Sequence, residues 1–216
     1  MKTFNLPSQI EGFIFDIDST LYTCPKYAFE QVDCQVREFA RLRGISAQDA
    51  RNMVADYRKD FAAKHNGSKV SLGNTLLSFG ISIEQSIEWR KTLLSPENFL
   101  KKDEQLICEL KILSKNHKLI CVTNNPVLPA RKTLQAIGIS DFFSDIVGLD
   151  TCFKSKPAKE PFLEALKILQ LGADKCVAIG DRYDLDIALP LEMGMGGILV
   201  KDVKEVYQIS KICDIM

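Results

Sequence analysis

The sequence has no excess of charge of either sign: Lys and Arg together number 28, and so do Asp and Glu. A chain without a net field offers no long-range attraction to a nucleic-acid polymer or an anionic membrane, and neither is expected as a partner. It has no Cys-x-x-Cys pair. Its seven cysteines, Cys24, Cys34, Cys108, Cys121, Cys152, Cys176 and Cys213, are scattered and odd in number. That pattern does not suit a disulfide framework or a zinc knuckle. Most are read as small apolar residues of a reducing compartment. The two histidines, His65 and His117, lie far from every motif described below and are read as surface residues. No apolar stretch approaches the length of a membrane span. Residues 1–7 hold no apolar core of the kind a signal peptide needs. The cytoplasm is the expected location. Internal repeats and low-complexity tracts are also missing.

What is present is an ordinary globular composition. Of 216 residues, 46% are hydrophobic and 26% charged, enough to bury a core without covalent staples. Short apolar runs alternate with helical patterns. Gly12-Phe13-Ile14-Phe15 leads into Asp16, Lys118-Leu119-Ile120-Cys121-Val122 into Thr123, and Cys176-Val177-Ala178-Ile179 into Gly180-Asp181. Asp145-Ile146-Val147-Gly148 is a weaker run, and Gly197-Ile198-Leu199-Val200 closes the series. Unbroken apolar runs of this length suit strands buried on both faces, as in a parallel sheet. Residues 103–115 carry Leu106, Ile107, Leu110 and Leu113 on one helical stripe, and Pro161 marks the expected first position of another helix. The expectation is an α/β fold.

Residues 22–98 break this alternation. They read as helices over about 26–43, 46–65, 72–79 and 83–93, with Gly44 and Gly67 at breaks. The expected organisation is therefore a sheet-bearing core of residues 1–21 and 99–216, with an all-helical cap of residues 22–98 acting as a lid hinged near residues 22–25 and 95–99.

Open α/β sheets bind ligands at the carboxyl ends of their strands. There the sequence sets Asp16-Ile17-Asp18-Ser19-Thr20, Thr123-Asn124-Asn125, a loop with Lys156-Pro157, and Gly180-Asp181 with Asp186. Clustered carboxylates repel, so they call for a divalent cation, and hard oxygen donors select magnesium. Magnesium in turn favours a phosphate-bearing substrate.

Asp16-x-Asp18-x-Thr20, Thr123, Lys156-Pro157 and Gly180-Asp181 with Asp186 resemble, in order, the four motifs of the haloacid dehalogenase (HAD) superfamily of phosphatases. The resemblance covers nearly the whole chain, including the inserted helical cap. It implies a Rossmann-like core and a magnesium cofactor. It also implies Asp16 as the nucleophile that forms an aspartyl-phosphate and gives one oxygen to the metal. Asp18 would be the general acid and base, its backbone carbonyl a metal ligand. Thr123 and a backbone amide near Asn124 would bind the phosphoryl group; Thr123 also suits a helix start. Lys156 would neutralise charge in the transition state. Asp181 would complete the metal site and Asp186 support it, although Asp184 could take the place of Asp186. Ser19 stands where several members carry Asn, Leu185 where many carry Asn, and Lys159 where many carry a second proline.

The run Asp18-Ser19-Thr20-Leu21-Tyr22 and the cap segment Gly73-Asn74-Thr75-Leu76 resemble the pyrimidine 5′-nucleotidase-like branch, which implies a nucleoside monophosphate as substrate. Tyr22, Tyr27 and Phe29 could face a nucleobase or could pack the cap. The alternatives are a sugar-phosphate phosphatase or a phosphomutase on the same fold. Outside that chemistry stand a 2-haloacid dehalogenase, disfavoured by Asp18, and a non-catalytic interaction module, disfavoured because no motif acid is missing.

Overall fold

A computed structural model describes residues 1–68 and 70–213 of the chain, with no account of the Cys213 side chain. The chain divides into two compact units, residues 1–25 with 96–216 and residues 26–95.

The first unit is built on a six-stranded sheet. Its strands are β1 (Lys2–Phe4), β2 (Gly12–Phe15), β3 (Lys118–Val122), β4 (Ile146–Val147), β5 (Cys176–Gly180) and β6 (Gly196–Leu199). The order across the sheet is β1-β6-β5-β2-β3-β4. All pairings are parallel except that of β1 with β6. The α/β class expected from the apolar runs is what the chain adopts. Strand β1 was not anticipated; three residues of mixed polarity at a sheet edge leave too little pattern to read.

Strand β2 lies between β3 and β5, so the chain passes to one side of it and later returns to the other. A crevice opens at such a switch point, beyond the carboxyl ends of the strands. Asp16, Thr123 and Asp181 are the residues that follow the three central strands there. Both faces of this sheet are covered. Ile14, Ile120, Val122, Val147 and Cys176 pack with Phe162, Ala165 and Leu169 of the helix Lys159–Leu169. Their neighbours Phe13, Phe15, Leu119 and Cys121 point the other way and are equally buried. That helix starts two residues before Pro161, which therefore sits third in the helix and not first. The first-turn N–H groups have no helical partner in any case, so proline is tolerated throughout that turn.

Among its described residues the second unit holds four helices, α1 (Pro25–Arg43, whose first residue belongs to the other unit), α2 (Ala47–Lys64), α3 (Leu72–Ser78) and α4 (Ile83–Leu93). Ser46, Ser71 and Ser82 cap the last three by accepting from Asp49, Asn74 and Gln85 N–H, each leaving one fewer orphan donor. Gly44 and Gly67 adopt φ of +65° and +82° at the breaks, which residues with a side chain rarely do. Val36, Phe39, Val54, Leu76 and Trp89 form its core. Asp33 of α1 is held by Arg51 of α2, Nε to Oδ1 at 2.7 Å, and by Arg37. Among the described residues no helix is long and apolar enough to cross a membrane.

Candidate active site

The site grows from the turn after β2. The Asp16 N–H still donates to the Ile179 carbonyl at 2.8 Å, which continues the β2–β5 ladder and fixes its Cα. The chain then turns sharply. Thr20 and Leu21 N–H both donate to the Ile17 carbonyl, and Ser19 takes φ +66°. That left-handed geometry suits Asn better than Ser, which accounts physically for the Asn carried there by several members of the resembling superfamily. The turn brings Thr20, fully buried, back to Asp16, its Oγ1 donating to Oδ2 at 3.1 Å.

Lys156 reaches the same carboxylate from the loop before the helix Lys159–Leu169. Its Nζ lies 2.6 Å from Asp16 Oδ1 and 2.6 Å from Asp186 Oδ1, with all three residues buried. The Lys156–Pro157 peptide bond is cis.

Beyond β5, Asp181 follows Gly180, and a π-helical turn over Tyr183–Ile187 directs Asp186 inward. The Arg182 N–H donates to Asp186 Oδ2 at 3.0 Å. Gly180 is required by this approach, because a Cβ there would overlap Asp186. The same turn points Asp184 to solvent, where its neighbour is the Arg182 guanidinium at 3.4 Å. The π-helical turn separates two acids that the sequence left interchangeable.

Oxygens of Asp16, Asp181 and Asp186 lie within 4.8 Å of one another. Three carboxylates thus share one ammonium. Burial raises the proton affinity of Asp16; Lys156 opposes this, Asp186 and Asp18 add to it, and the net effect lifts Asp16 above the ordinary carboxylate range. Asp181 is raised by burial and by Asp186. Burial alone would lower Lys156, but Asp16 and Asp186 outweigh it and hold the ammonium above its usual value. The cluster carries a surplus of negative charge that protons or a metal cation must balance.

Asp18 faces the loop after β3. Its Oδ1 accepts from the Tyr22 hydroxyl at 2.5 Å, and its Oδ2 from Asn125 Nδ2 at 2.8 Å and Thr123 Oγ1 at 3.3 Å. Thr123 does not start the helix Val127–Ala136. Pro126 occupies the capping position without a side-chain bond, and the Val127 N–H is met by Asp150 Oδ1 at 2.8 Å. Thr123 Oγ1 instead accepts from the Asn125 N–H. Asn124 uses its side chain on the backbone of Lys156, donating to the carbonyl at 3.2 Å and accepting from the N–H at 2.7 Å. The sequence pattern assigns no role to Thr20, to the Asn124 side chain or to Asn125. The only cue was their place in the strand-end loops.

The sequence pattern of the haloacid dehalogenase-like hydrolases matches residues 10–194. The chain belongs to that family. Among relatives of this HAD-like hydrolase, a glyceraldehyde 3-phosphate phosphatase of Methanocaldococcus jannaschii is 28% identical over 212 residues, 92% of this chain and 87% of its own. A beta-phosphoglucomutase of Bacillus subtilis is 26% identical over 181 residues, 80% of this chain and 75% of its own. In fold the HAD-like hydrolase resembles a HAD phosphatase from Thermococcus onnurineus, with a TM-score of 0.64 at 19% identity, over 94% of this chain and 98% of the other. The enzyme class expected from the motifs, a phosphatase of this superfamily, is supported by the family match and by the names of these relatives.

Proposed function

We propose that the chain is a magnesium-dependent phosphomonoester hydrolase working through an aspartyl-phosphate on Asp16. The observation that carries this is the buried Asp16 carboxylate at the switch point of the sheet, 2.6 Å from Lys156 and within 4.8 Å of Asp181 and Asp186 oxygens. An Asp16 oxygen bonds to phosphorus as the ester P–O bond breaks, and Asp18 gives a proton to the departing alkoxide. A water oxygen then bonds to phosphorus, the acyl-phosphate bond breaks to restore the Asp16 carboxylate, and Asp18 takes the water proton. Thr123 and the Asn124 backbone amide serve the phosphoryl oxygens, and Lys156 balances the charge that builds on them.

The donor set suits magnesium: hard carboxylate oxygens, in negative surplus, beside a single ammonium. Asp16, Asp181 and the Asp18 backbone carbonyl would hold it, with Asp186 supporting the site. Bound there, magnesium would add positive charge next to the transferring phosphoryl group.

The proposed substrate is a small sugar phosphate, the class to which the names of the two relatives described above point. A nucleoside monophosphate has less support. Of the residues whose positions suggested it, Tyr22, Tyr27, Thr75 and Leu76 are buried and the Thr75 hydroxyl is spent on the Ser71 carbonyl at 2.9 Å, while Phe29 is exposed. The test is phosphate release from a panel of triose, hexose and nucleoside phosphates, with and without magnesium. Preference for sugar phosphates with free phosphate as product supports the proposal. Preference for nucleotides would restore the other substrate class, and an isomerised sugar phosphate without phosphate release would indicate a mutase.

A further inference from the structure

Asn125 lies beside the catalytic groups without an assigned task, and its surroundings are built with care. Its backbone is clamped by the turn after β4: the Leu149 N–H donates to the Asn125 carbonyl at 2.9 Å. Gly148 approaches so closely that a Cβ there would meet that carbonyl at 2.8 Å. One residue on, Asp150 holds the Val127 N–H. The Asn125 N–H is taken by Thr123 Oγ1 at 3.1 Å. A side chain on so constrained a backbone has little freedom, and its Nδ2 donates to Asp18 Oδ2 at 2.8 Å.

The two Asp18 oxygens meet chemically different partners. The Asn125 amide nitrogen can only donate, so Oδ2 is fixed as an acceptor. Oδ1 meets the Tyr22 hydroxyl at 2.5 Å, a group that can donate or accept. Oδ1 is thus the oxygen able to carry a proton without leaving two donors opposed. The i to i+4 contact between Asp18 and Tyr22 is set by the turn itself, where the two residues form a bridge.

We propose that Asn125 is a positioning residue for the acid–base group Asp18, fixing its Oδ2 so that Oδ1, steadied by Tyr22, faces the leaving group. This rests on the role of Asp18 in the proposed function. In the first step the proton on Oδ1 passes to the ester oxygen as its bond to phosphorus breaks and the bond from Asp16 to phosphorus forms. In the second, water gives its proton back to Asp18 as its oxygen bonds to phosphorus and the bond from phosphorus to Asp16 breaks. Asn125 exchanges no proton in either step.

The leaving group separates this from a merely structural role. An alkoxide must be protonated as it departs, whereas p-nitrophenolate leaves without help. The quantity kcat/KM reports only the steps through transfer to Asp16. Asn125→Ala and, independently, Tyr22→Phe should be measured on an alkyl phosphate such as glycerol phosphate and on p-nitrophenyl phosphate. The expected result is a fall in kcat/KM that is about tenfold or more larger for the alkyl than for the aryl ester, as mispositioning of a general acid would give. With p-nitrophenyl phosphate, an initial burst of nitrophenolate should appear, because the slowed step is now water attack on the aspartyl-phosphate. Equal losses on both esters in both variants, with no burst, would overturn the proposal. If Asn125→Ala does not fold, Tyr22→Phe decides by the same criterion. Wild type inactive on both esters would instead count against the phosphatase reading.

Discussion

Asn124 grips the Lys156 peptide from both sides, its Oδ1 accepting from the N–H at 2.7 Å and its Nδ2 donating to the carbonyl at 3.2 Å. A single amide therefore ties the loop after β3 to the loop that delivers the ammonium. Lys156 must reach Asp16 and Asp186 at once, both at 2.6 Å, which leaves little room for its backbone to drift.

Asn124→Ala is expected to lower kcat/KM by about 10- to 100-fold while keeping the fold, because small displacements of a charge-balancing group are costly to rate. Steady-state kinetics beside a thermal melt would check this. Asn124→Asp should be at least as poor: it cannot donate to the Lys156 carbonyl, and it adds a negative charge near an already anionic cluster.

The two acids of the π-helical turn should behave oppositely. Asp184 faces solvent and Arg182, so Asp184→Asn is expected to leave activity and magnesium response near wild type. Asp186→Asn removes a buried partner of Lys156, and its rate should fall by about 100-fold or more with a higher magnesium requirement. Magnesium titrations of activity for the two variants would decide the matter. A larger loss for Asp184→Asn would contradict the geometry.

In the helical unit, the Asp33 carboxyl titrates below its usual value. The Arg51 hydrogen bond is the largest cause, burial opposes it, and Arg37 adds to the lowering. The unfolded chain then takes up a proton at higher pH than the folded chain. The stabilisation is complete above the ordinary carboxyl value of about 4 and is lost as the pH falls through the depressed folded value. Both guanidinium groups are partly exposed, so Asp33→Asn is expected to cost about 1–2 kcal/mol at neutral pH. Denaturant unfolding of the full chain at pH 7 and pH 3 should show that difference shrinking in acid. An equal difference at both values would mean that the carboxylate charge is not what stabilises the contact.

The sheet-buried strands and the helical insert were legible because their signals are dense. Four apolar residues in a row at 119–122 or 176–179, or glycines at the breaks between helical runs, admit few other structures. The acids at the strand ends were legible for a related reason, since a carboxylate placed just after an apolar run has few structural uses. What stayed hidden depends on turn geometry. The choice between Asp184 and Asp186 was made by a π-helical turn that no periodicity announces. The role of the Asn124 side chain depends on a partner 32 residues away. Thr123 looked like a helix start, yet its hydroxyl serves Asp18 and Asn125 while Asp150 serves the helix. Short polar side chains have many local uses, and only the assembled loops select among them.

In the proposed reaction Asp16 carries the phosphoryl group. The most direct test is to quench the enzyme in acid during turnover of a sugar phosphate with magnesium, reduce with borohydride, and sequence the peptide containing residue 16 by mass spectrometry. An acyl phosphate is reduced to the alcohol, so homoserine at position 16, absent without substrate, is the expected product. Turnover with no modification at position 16, or with the label on another residue, would contradict it.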